Sequence, residues 1–281
     1  MDMATISIDA ETGGDYPDWL YGAAEPVRTL PGLAHVGDDA PAAYSAGGFL
    51  AVERAFESAR IEDALDGLLA LMTSTADLDL QFEAGTPDDA GPAVRLDRVR
   101  RLMRFVDHEP RIGALAHDDA MLDVVRRLLG AEDVVLFQDM ALLKPPGAGR
   151  EKPWHQDKAF FPYAADARVV GVWIALDAAT PANGCMHVIP GSHRDGPVVH
   201  FRRRDWQLCD TDVQVRRAAT VPLPPGGALF FDGLLHHGTP ANRTATRRRA
   251  LQFHYTAADT VRLDDAARLA IFGSEGKDVS C

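Results

Sequence analysis

His155 and Asp157 stand two positions apart in Trp154-His155-Gln156-Asp157. In an extended segment alternate side chains share a face, so the imidazole and the carboxylate point one way and Gln156 the other. Two such donors can begin a metal site, and a third has to come from elsewhere in the chain. The candidates are His236 and His237 in the run FFDGLLHHGTPANRT, where they follow an apolar strand and a turn. Two imidazoles and one carboxylate suit iron(II), because the opposite face of an octahedral ion stays open. Zinc with an activated water uses the same donor types, and these residues alone do not separate the two metals.

A fourth residue has a different task. In TRRRALQFHYT the period-2 alternation puts Arg248, Ala250, Gln252 and His254 on one face and Arg249, Leu251, Phe253 and Tyr255 on the other. If the Leu/Phe/Tyr face packs against a helical layer, Arg248 points inward, where an unpaired guanidinium is costly. A small dicarboxylic ligand would satisfy it in bidentate fashion. The plainer alternative is a solvated edge made of Arg247 to Arg249.

The elements that must position these residues fall into two textures. Residues 1–45 are rich in Gly, Pro, Asp and Ala without lasting periodicity, and read as an irregular lead-in that drapes over the body of the protein. From Gly48 to about Thr75 apolar residues recur at helical spacing (Phe56, Ala59, Leu65, Leu68, Leu69, Met72), which predicts one or two amphipathic helices. A second helical block runs through EPRIGALAHDDAMLDVVRRLLG, with Leu122, Val125, Leu128 and Leu129 as its apolar face and Gly130 as its stop. Arg126 and Arg127 favour its last turn.

After Gly130 the chain becomes short runs rich in Val, Ile, Leu, Phe and Thr, such as DVVLFQDMALLK, RVVGVWIALD, CMHVIPG, VQVRRAATVPL and ALFFDG, parted by Pro, Gly and Asn turns. Gly184, Gly191 and the Gly226-Gly227 pair mark those turns. The expected fold class is therefore mainly β with flanking helices on one face, the sheet folding into a sandwich or barrel. The domain reading is a single domain over 46–281: helical support at about 48–130, the β core at about 131–257 and a tail at 258–281.

The chain of 281 residues is 46% hydrophobic and carries a net charge of -12, which opposes tight binding to nucleic acid. Three cysteines without a CxxC indicate neither a disulfide scaffold nor a thiolate zinc site. No basic segment leading into an apolar run and no membrane-length apolar stretch is seen, so a cytoplasmic protein without a membrane span is expected, as monomer or homodimer. No GxGxxG, GxxxxGK[ST] or GxSxG pattern supports a nucleotide-cradle or serine-hydrolase function. The basic residues of GAGREKP and HFRRRDWQLCD (Arg150, Lys152, Arg202, Arg203, Arg204) read as solvated loop charge, with an acid or thioester as the functional alternative.

The ordered run WHQDKAFFPY, RVVGVWIALDAATPANGCMHVIPGSH, PPGGALFFDGLLHHGTPANRT and RRALQFHY resembles the phytanoyl-CoA dioxygenase family of Fe(II)/2-oxoglutarate-dependent oxygenases, nearest its branch of phytanoyl-CoA dioxygenase domain-containing proteins. The resemblance covers about residues 45–257 and is strongest from Gln138 onward. It implies a double-stranded β-helix, or jelly-roll, core and a metal set of His155, Asp157 and His237. His237 is singled out because the family's distal histidine has an asparagine five residues later, here Asn242. The family's cosubstrate arginine falls on Arg248, and Trp173 and Met140 are implied to lie beside 2-oxoglutarate. Lys144 matches a lysine of that branch to which no role is given. A further lysine of the family is missing, and only Arg98, Arg100 and Arg101 stand in that stretch.

The resemblance thus implies Fe(II), 2-oxoglutarate and dioxygen as cofactor and cosubstrates, with release of succinate and CO2. The expected reaction is hydroxylation of an unactivated C–H bond in a small organic substrate, such as a carboxylic acid or thioester. Related halogenases have a small residue in place of the carboxylate ligand; Asp157 is present, which favours oxidation without halide. The alternatives are a cupin-like divalent-metal hydrolase or isomerase and a non-catalytic jelly-roll binding protein.

Overall fold

The computed structural model describes residues 15–22, 24–74, 78–83, 86–87 and 91–273. Its first part contains β1 (Leu30–Gly32), α1 (Ala40–Gly47), β2 (Phe49–Arg54), α2 (Ser58–Thr73), β3 (Asp79–Phe82), α3 (Pro92–Arg98), β4 (Val99–Met103), α4 (Pro110–Ala116) and α5 (Asp119–Leu129). Then come β5 (Val134–Lys144), β6 (Lys152–His155), β7 (Val170–Ala175), β8 (Met186–Val188), β9 (His200–Arg202) and β10 (Trp206–Leu208). The chain closes with β11 (Ala219–Val221), β12 (Ala228–Asp232), β13 (His237–Thr239), β14 (Arg248–Ala257) and α6 (Asp265–Phe272).

Two sheets make the jelly roll. The larger has the order β1-β2-β12-β7-β14-β5-β4-β3 and the smaller β11-β8-β13-β6, while β9 and β10 form a separate hairpin. All pairings in the two sheets are antiparallel except β1 with β2. Side chains of the large sheet's inner face (Trp173, Leu229, Phe231, Ala250) pack with Met186, Val188 and Val221 of the small sheet. Its outer face (Val172, Ile174, Leu251, Phe253, Tyr255) packs with Leu68, Leu115, Val125 and other helical residues. Period-2 alternation therefore assigns each strand residue to the site side or the helix side.

The helices follow the expected blocks with two corrections. Phe49–Arg54, read from its apolar spacing as helix, is strand β2, because FLAV can pair along β12 (Leu50 with Phe230, Val52 with Ala228) and the helix begins only at Ser58. A short apolar run does not itself distinguish the two periods. The second block is two helices: Asp118 interrupts it and accepts a hydrogen bond from Met121 N–H, capping α5. The buried face of α5 is Met121, Val124, Val125, Leu128 and Leu129, with Leu122 only partly covered. Gly130 ends the helix at φ 66°, a conformation most side chains resist.

The segments read as irregular at either end also differ. β1 lies within the stretch assigned to the lead-in, α1 begins there and runs on to Gly47, and α6 lies within the assigned tail. Residues 1–14 and 274–281, including Cys281, lie outside the described residues. Cys185 and Cys209 are buried free thiols. Residues 16–22 do drape over the roll: the Tyr21 ring stacks on Trp154 at 5.7 Å, and Trp154 Nε1–H donates to the Leu20 carbonyl at 3.1 Å. Among the described residues, no helix is long and apolar enough to cross a membrane.

Candidate metal and cosubstrate site

His155 ends β6, and Asp157 opens the single helical turn Asp157–Phe160 that follows. Gln156 between them is extended and faces the other way, as alternation requires. Its amide donates to the Gly196 and Leu234 carbonyls and accepts from Val198 N–H, so this fully buried residue anchors the motif from behind. His237 opens β13 and stands directly opposite His155 in the ladder. Gly233 in the preceding turn accepts from Lys158 N–H; a Cβ there would lie 2.7 Å from Lys158 Cγ. The turn that delivers His237 is thereby tied to the turn that carries Asp157.

The resulting cluster is compact. One donor atom each from His155, Asp157 and His237 lies within 4.8 Å of the others, and all three residues are buried. Both imidazole Nε2 atoms face Asp157 Oδ1, His155 at 3.2 Å and His237 at 3.5 Å. The opposite ring nitrogens face carbonyls: His155 Nδ1 to Pro153 O at 2.7 Å and His237 Nδ1 to Leu235 O at 2.9 Å. A carbonyl can only accept, so each Nδ1 carries a proton, and Nε2 is the ring nitrogen turned to the cluster, the arrangement that metal-binding histidines use.

Burial pushes the His155 imidazole down to about 4, with the nearby His237 ring adding to it, so it is neutral at pH 7. For Asp157 burial acts to raise the carboxyl, but the adjacent His237 and His254 imidazoles outweigh it and hold the group well below the usual carboxylate range. A neutral imidazole and an ionised carboxylate are the protonation states that bind a divalent cation.

His236 is not in the cluster. Strand alternation sends its ring the other way, its backbone N–H donates to Ser192 Oγ, and burial lowers its imidazole to about 4. Both of its ring nitrogens are buried without a hydrogen-bond partner.

His155, Asp157, His237, Arg248, Trp173 and Met140 all line one cavity, which has room for about 110 Å³ of water-sized contents. Arg248 is 2% exposed and heads β14 on the inner face, with Lys144 of β5 as its ladder partner. Its guanidinium lies over the Trp173 ring at 5.6 Å and its Nη1 donates to the Leu142 carbonyl at 3.4 Å. Among the described residues no carboxylate pairs with it, and its Nε has no acceptor. Burial lowers Arg248 to about 10, which still leaves it charged at neutral pH. Trp173 Nε1 and Gln138 Oε1, also on this cavity, are buried without partners. Orphaned buried polar atoms around one void mark a place that a polar ligand completes.

Three features of the site carry roles that the sequence reading did not give them. Asn242 is more than a landmark: its side-chain amide donates to the carbonyls of Lys144, Pro145 and Thr246 and accepts from Thr244, shaping the loop that delivers Arg248. Lys144 is buried, and its ammonium donates to the carbonyls of Pro240 (2.8 Å), Thr239 and Arg150, joining the segment after His237 to the one before His155. Burial, with Arg248 and Arg100 nearby, holds Lys144 well below the usual lysine range. Gln252 and His254 touch Asp157, and the alternation of β14 had already put both on the face of Arg248.

The loop cations are not free solvated charge. Arg204 binds Glu151 (2.7 Å) and Asp210 (2.7 Å) with its side chain 14% exposed, Arg150 binds Glu83 (2.9 Å), and Lys152 binds Asp205 (2.8 Å).

Comparison with solved structures agrees with the fold. The crystal structure of EctD from S. alaskensis with bound Fe aligns at TM-score 0.66 and 23% identity over 85% of this chain and 82% of that one. EvdO2 from Micromonospora carbonacea, complexed with 2-oxoglutarate, aligns at TM-score 0.62 and 22% identity over 85% and 99%. Among curated sequences, phytanoyl-CoA dioxygenase domain-containing protein 1 of Danio rerio is 31% identical over 186 residues, 62% of this chain and 63% of that protein. A probable phytanoyl-CoA dioxygenase of Caenorhabditis elegans is 30% identical over 178 residues, 58% and 56% of the two chains. The match thus spans less than two thirds of each of these relatives. The family model described as phytanoyl-CoA dioxygenase (PhyH) matches residues 44–250, and on that match the chain belongs to the PhyH family.

Proposed function

We propose that this chain is an Fe(II)- and 2-oxoglutarate-dependent dioxygenase that hydroxylates an unactivated C–H bond of a small organic substrate. The observation that carries this reading is one cavity holding both the buried His155–Asp157–His237 cluster and a buried guanidinium without an acid partner among the described residues. The three donors fit iron(II), and Arg248 fits the far carboxylate of a dicarboxylic 2-oxo acid. Together, bound iron, 2-oxoglutarate and dioxygen would supply the oxidising chemistry, with succinate and CO2 released.

The chain's own residues do the rest. Trp173 forms an apolar wall against which Arg248 is held. Met140 and Leu142 line the same cavity, and an apolar lining keeps water away from a reactive centre. Asp157 supplies the carboxylate that halogenating relatives lack, which supports oxidation without halide.

Arg100, Arg101, Arg150 and Lys152 line this cavity beside Lys144 and Arg248, whereas its acidic lining residues among those described are Glu151 and Asp157. Glu83 and Asp205 answer Arg150 and Lys152 from just outside the lining, and the cationic excess that remains with Lys144 and Arg248 supports an acidic substrate, a carboxylic acid or a thioester carrying acidic groups.

The test is succinate formation from 2-oxoglutarate in air with added iron(II) and ascorbate, for the parent chain and for Asp157→Ala and Arg248→Ala. Normal turnover in both variants would sink the assignment. Iron retention in His236→Ala and His237→Ala separates the two histidines, with loss expected only at 237. Small acids, amino acids and thioesters, each beside its neutral amide or ester, then show which class stimulates succinate release.

A further inference from the structure

We infer that Gln252 and His254 are positioning residues that decide which oxygen of Asp157 is presented to the metal, and so how many coordination positions stay open. The inference rests on the iron assignment above.

Both residues sit on the inner face of β14. His254 Nε2 lies 2.8 Å from Asp157 Oδ2, and Gln252 Nε2 lies 3.0 Å from the same oxygen. An ionised carboxylate only accepts, so His254 must carry its proton on Nε2 and Gln252 must turn its NH2 toward Asp157. Oδ2 thus receives two donated hydrogen bonds, while Oδ1 is the oxygen that faces Nε2 of His155 and of His237.

The surroundings of His254 leave it little else to do. It is fully buried, and its ring packs edge-on to Phe161 at 4.7 Å, with Phe137 at 6.0 Å and Phe231 at 6.2 Å. Its Nδ1 has no hydrogen-bond partner. Gly171, paired with His254 across the sheet, makes room for this aromatic box: a Cβ at 171 would lie 2.4 Å from the Phe231 ring. A buried imidazole with one nitrogen unsatisfied is a cost, and the shortest polar contact that offsets it is the bond to Asp157 at 2.8 Å, with Gln252 Nε2 3.2 Å from the same ring nitrogen.

The chemical consequence is one of counting. With Oδ2 occupied by two donors, Asp157 offers one oxygen, and three protein atoms leave three positions on an octahedral ion. A chelating 2-oxo acid would take two of these and leave one. A carboxylate free to turn would take a fourth position or lose its aim at the cluster.

The experiment uses the full chain under anaerobic conditions, with iron(II) and 2-oxoglutarate as the probes. Iron affinity is read by competition with a chelator, and site geometry by the visible charge-transfer band of the iron–2-oxoglutarate chelate. His254→Leu removes the donor at similar volume; His254→Gln restores an N–H of similar reach. His254→Leu is expected to weaken iron binding by about 10- to 100-fold, the usual effect of losing a partner of a metal ligand, and to shift or broaden the band. His254→Gln is expected to recover most of both.

Equal impairment in Leu and Gln variants, or parent-like affinity and band in His254→Leu, overturns the inference. If the Leu variant does not fold, as judged by its melting transition, Gln252→Met decides by the same two readouts, with parent-like values overturning it. A parent chain that neither binds iron nor gives the band would refute the proposed function instead, so the two failures are distinguishable.

Discussion

Arg248 and Arg249 are chain neighbours on one strand, and the protein treats them in opposite ways. Arg249 faces the helix side and is answered inside the chain: its Nε and Nη2 donate to the two oxygens of Asp177 at 2.7 and 2.8 Å. Arg248 faces the other sheet, is almost fully buried, and has no acid among the described residues. The same contrast continues along β14, where Leu251, Phe253 and Tyr255 join the helix-side core while Gln252 and His254 meet Asp157. One face is complete as folded. The other holds buried polar atoms that a folded chain tolerates only at a cost, and such groups cluster where a ligand is to be bound.

The largest effect that would sharpen this contrast is Phe253→Ala, which should destabilise the fold by about 3–5 kcal/mol by opening a cavity against the helices. The KM for 2-oxoglutarate should stay within experimental error, measured beside denaturant unfolding. A large KM change at that position would break the division between faces.

Arg248→Met should do the reverse. Losing a bidentate charged hydrogen bond worth roughly 3 kcal/mol raises the KM for 2-oxoglutarate by about 100-fold. The melting temperature of the ligand-free chain should hold or rise, since an unpaired buried charge has been replaced by a side chain of similar length. A fall in stability without a change in KM would mean that Arg248 is structural.

Buried polar groups with partners predict a different signature, seen at His200. Burial pushes its imidazole from 6.5 down to about 3, and its Nε2 accepts from Gln156 N–H, so it must remain neutral in the folded chain. The unfolded chain takes up the proton first, so stability is full above about pH 6.5 and is lost as the pH falls toward 3, by at most about 1.4 kcal/mol per pH unit. His200→Gln should flatten this slope in a pH series of unfolding curves.

The smallest effect is expected at Arg249→Leu: about 1 kcal/mol of stability, because the pair with Asp177 is partly exposed, and no change in 2-oxoglutarate binding.

The candidate site was more legible in the sequence than its supports. The donors lie in strands and tight turns, where period 2 decides which residues share a side of the sheet, so the shared face of His155 with Asp157 and that of Arg248 with Gln252 and His254 follow from spacing, whereas spacing left Arg248 either inward or on a solvated edge. Phe49–Arg54 was misread because four apolar residues in a row fit either period, and pairing with β12 made the choice. Lys144 gave no local signal either: its role comes from three carbonyls supplied by loops distant in sequence.

What the sequence determined alone is the chemistry of the donors and the face on which each sits, because alternation is a local property of extended backbone. Choosing His237 over His236 took the family's Asn242 spacing at the level of sequence and the antiparallel register of β13 with β6 in the fold. Only the tertiary structure decided that β14 would lie where Gln252 and His254 reach Asp157, and that no acid among the described residues would meet Arg248. Those outcomes depend on which strands become neighbours, and strand order is set by long-range pairing and packing rather than by the local backbone.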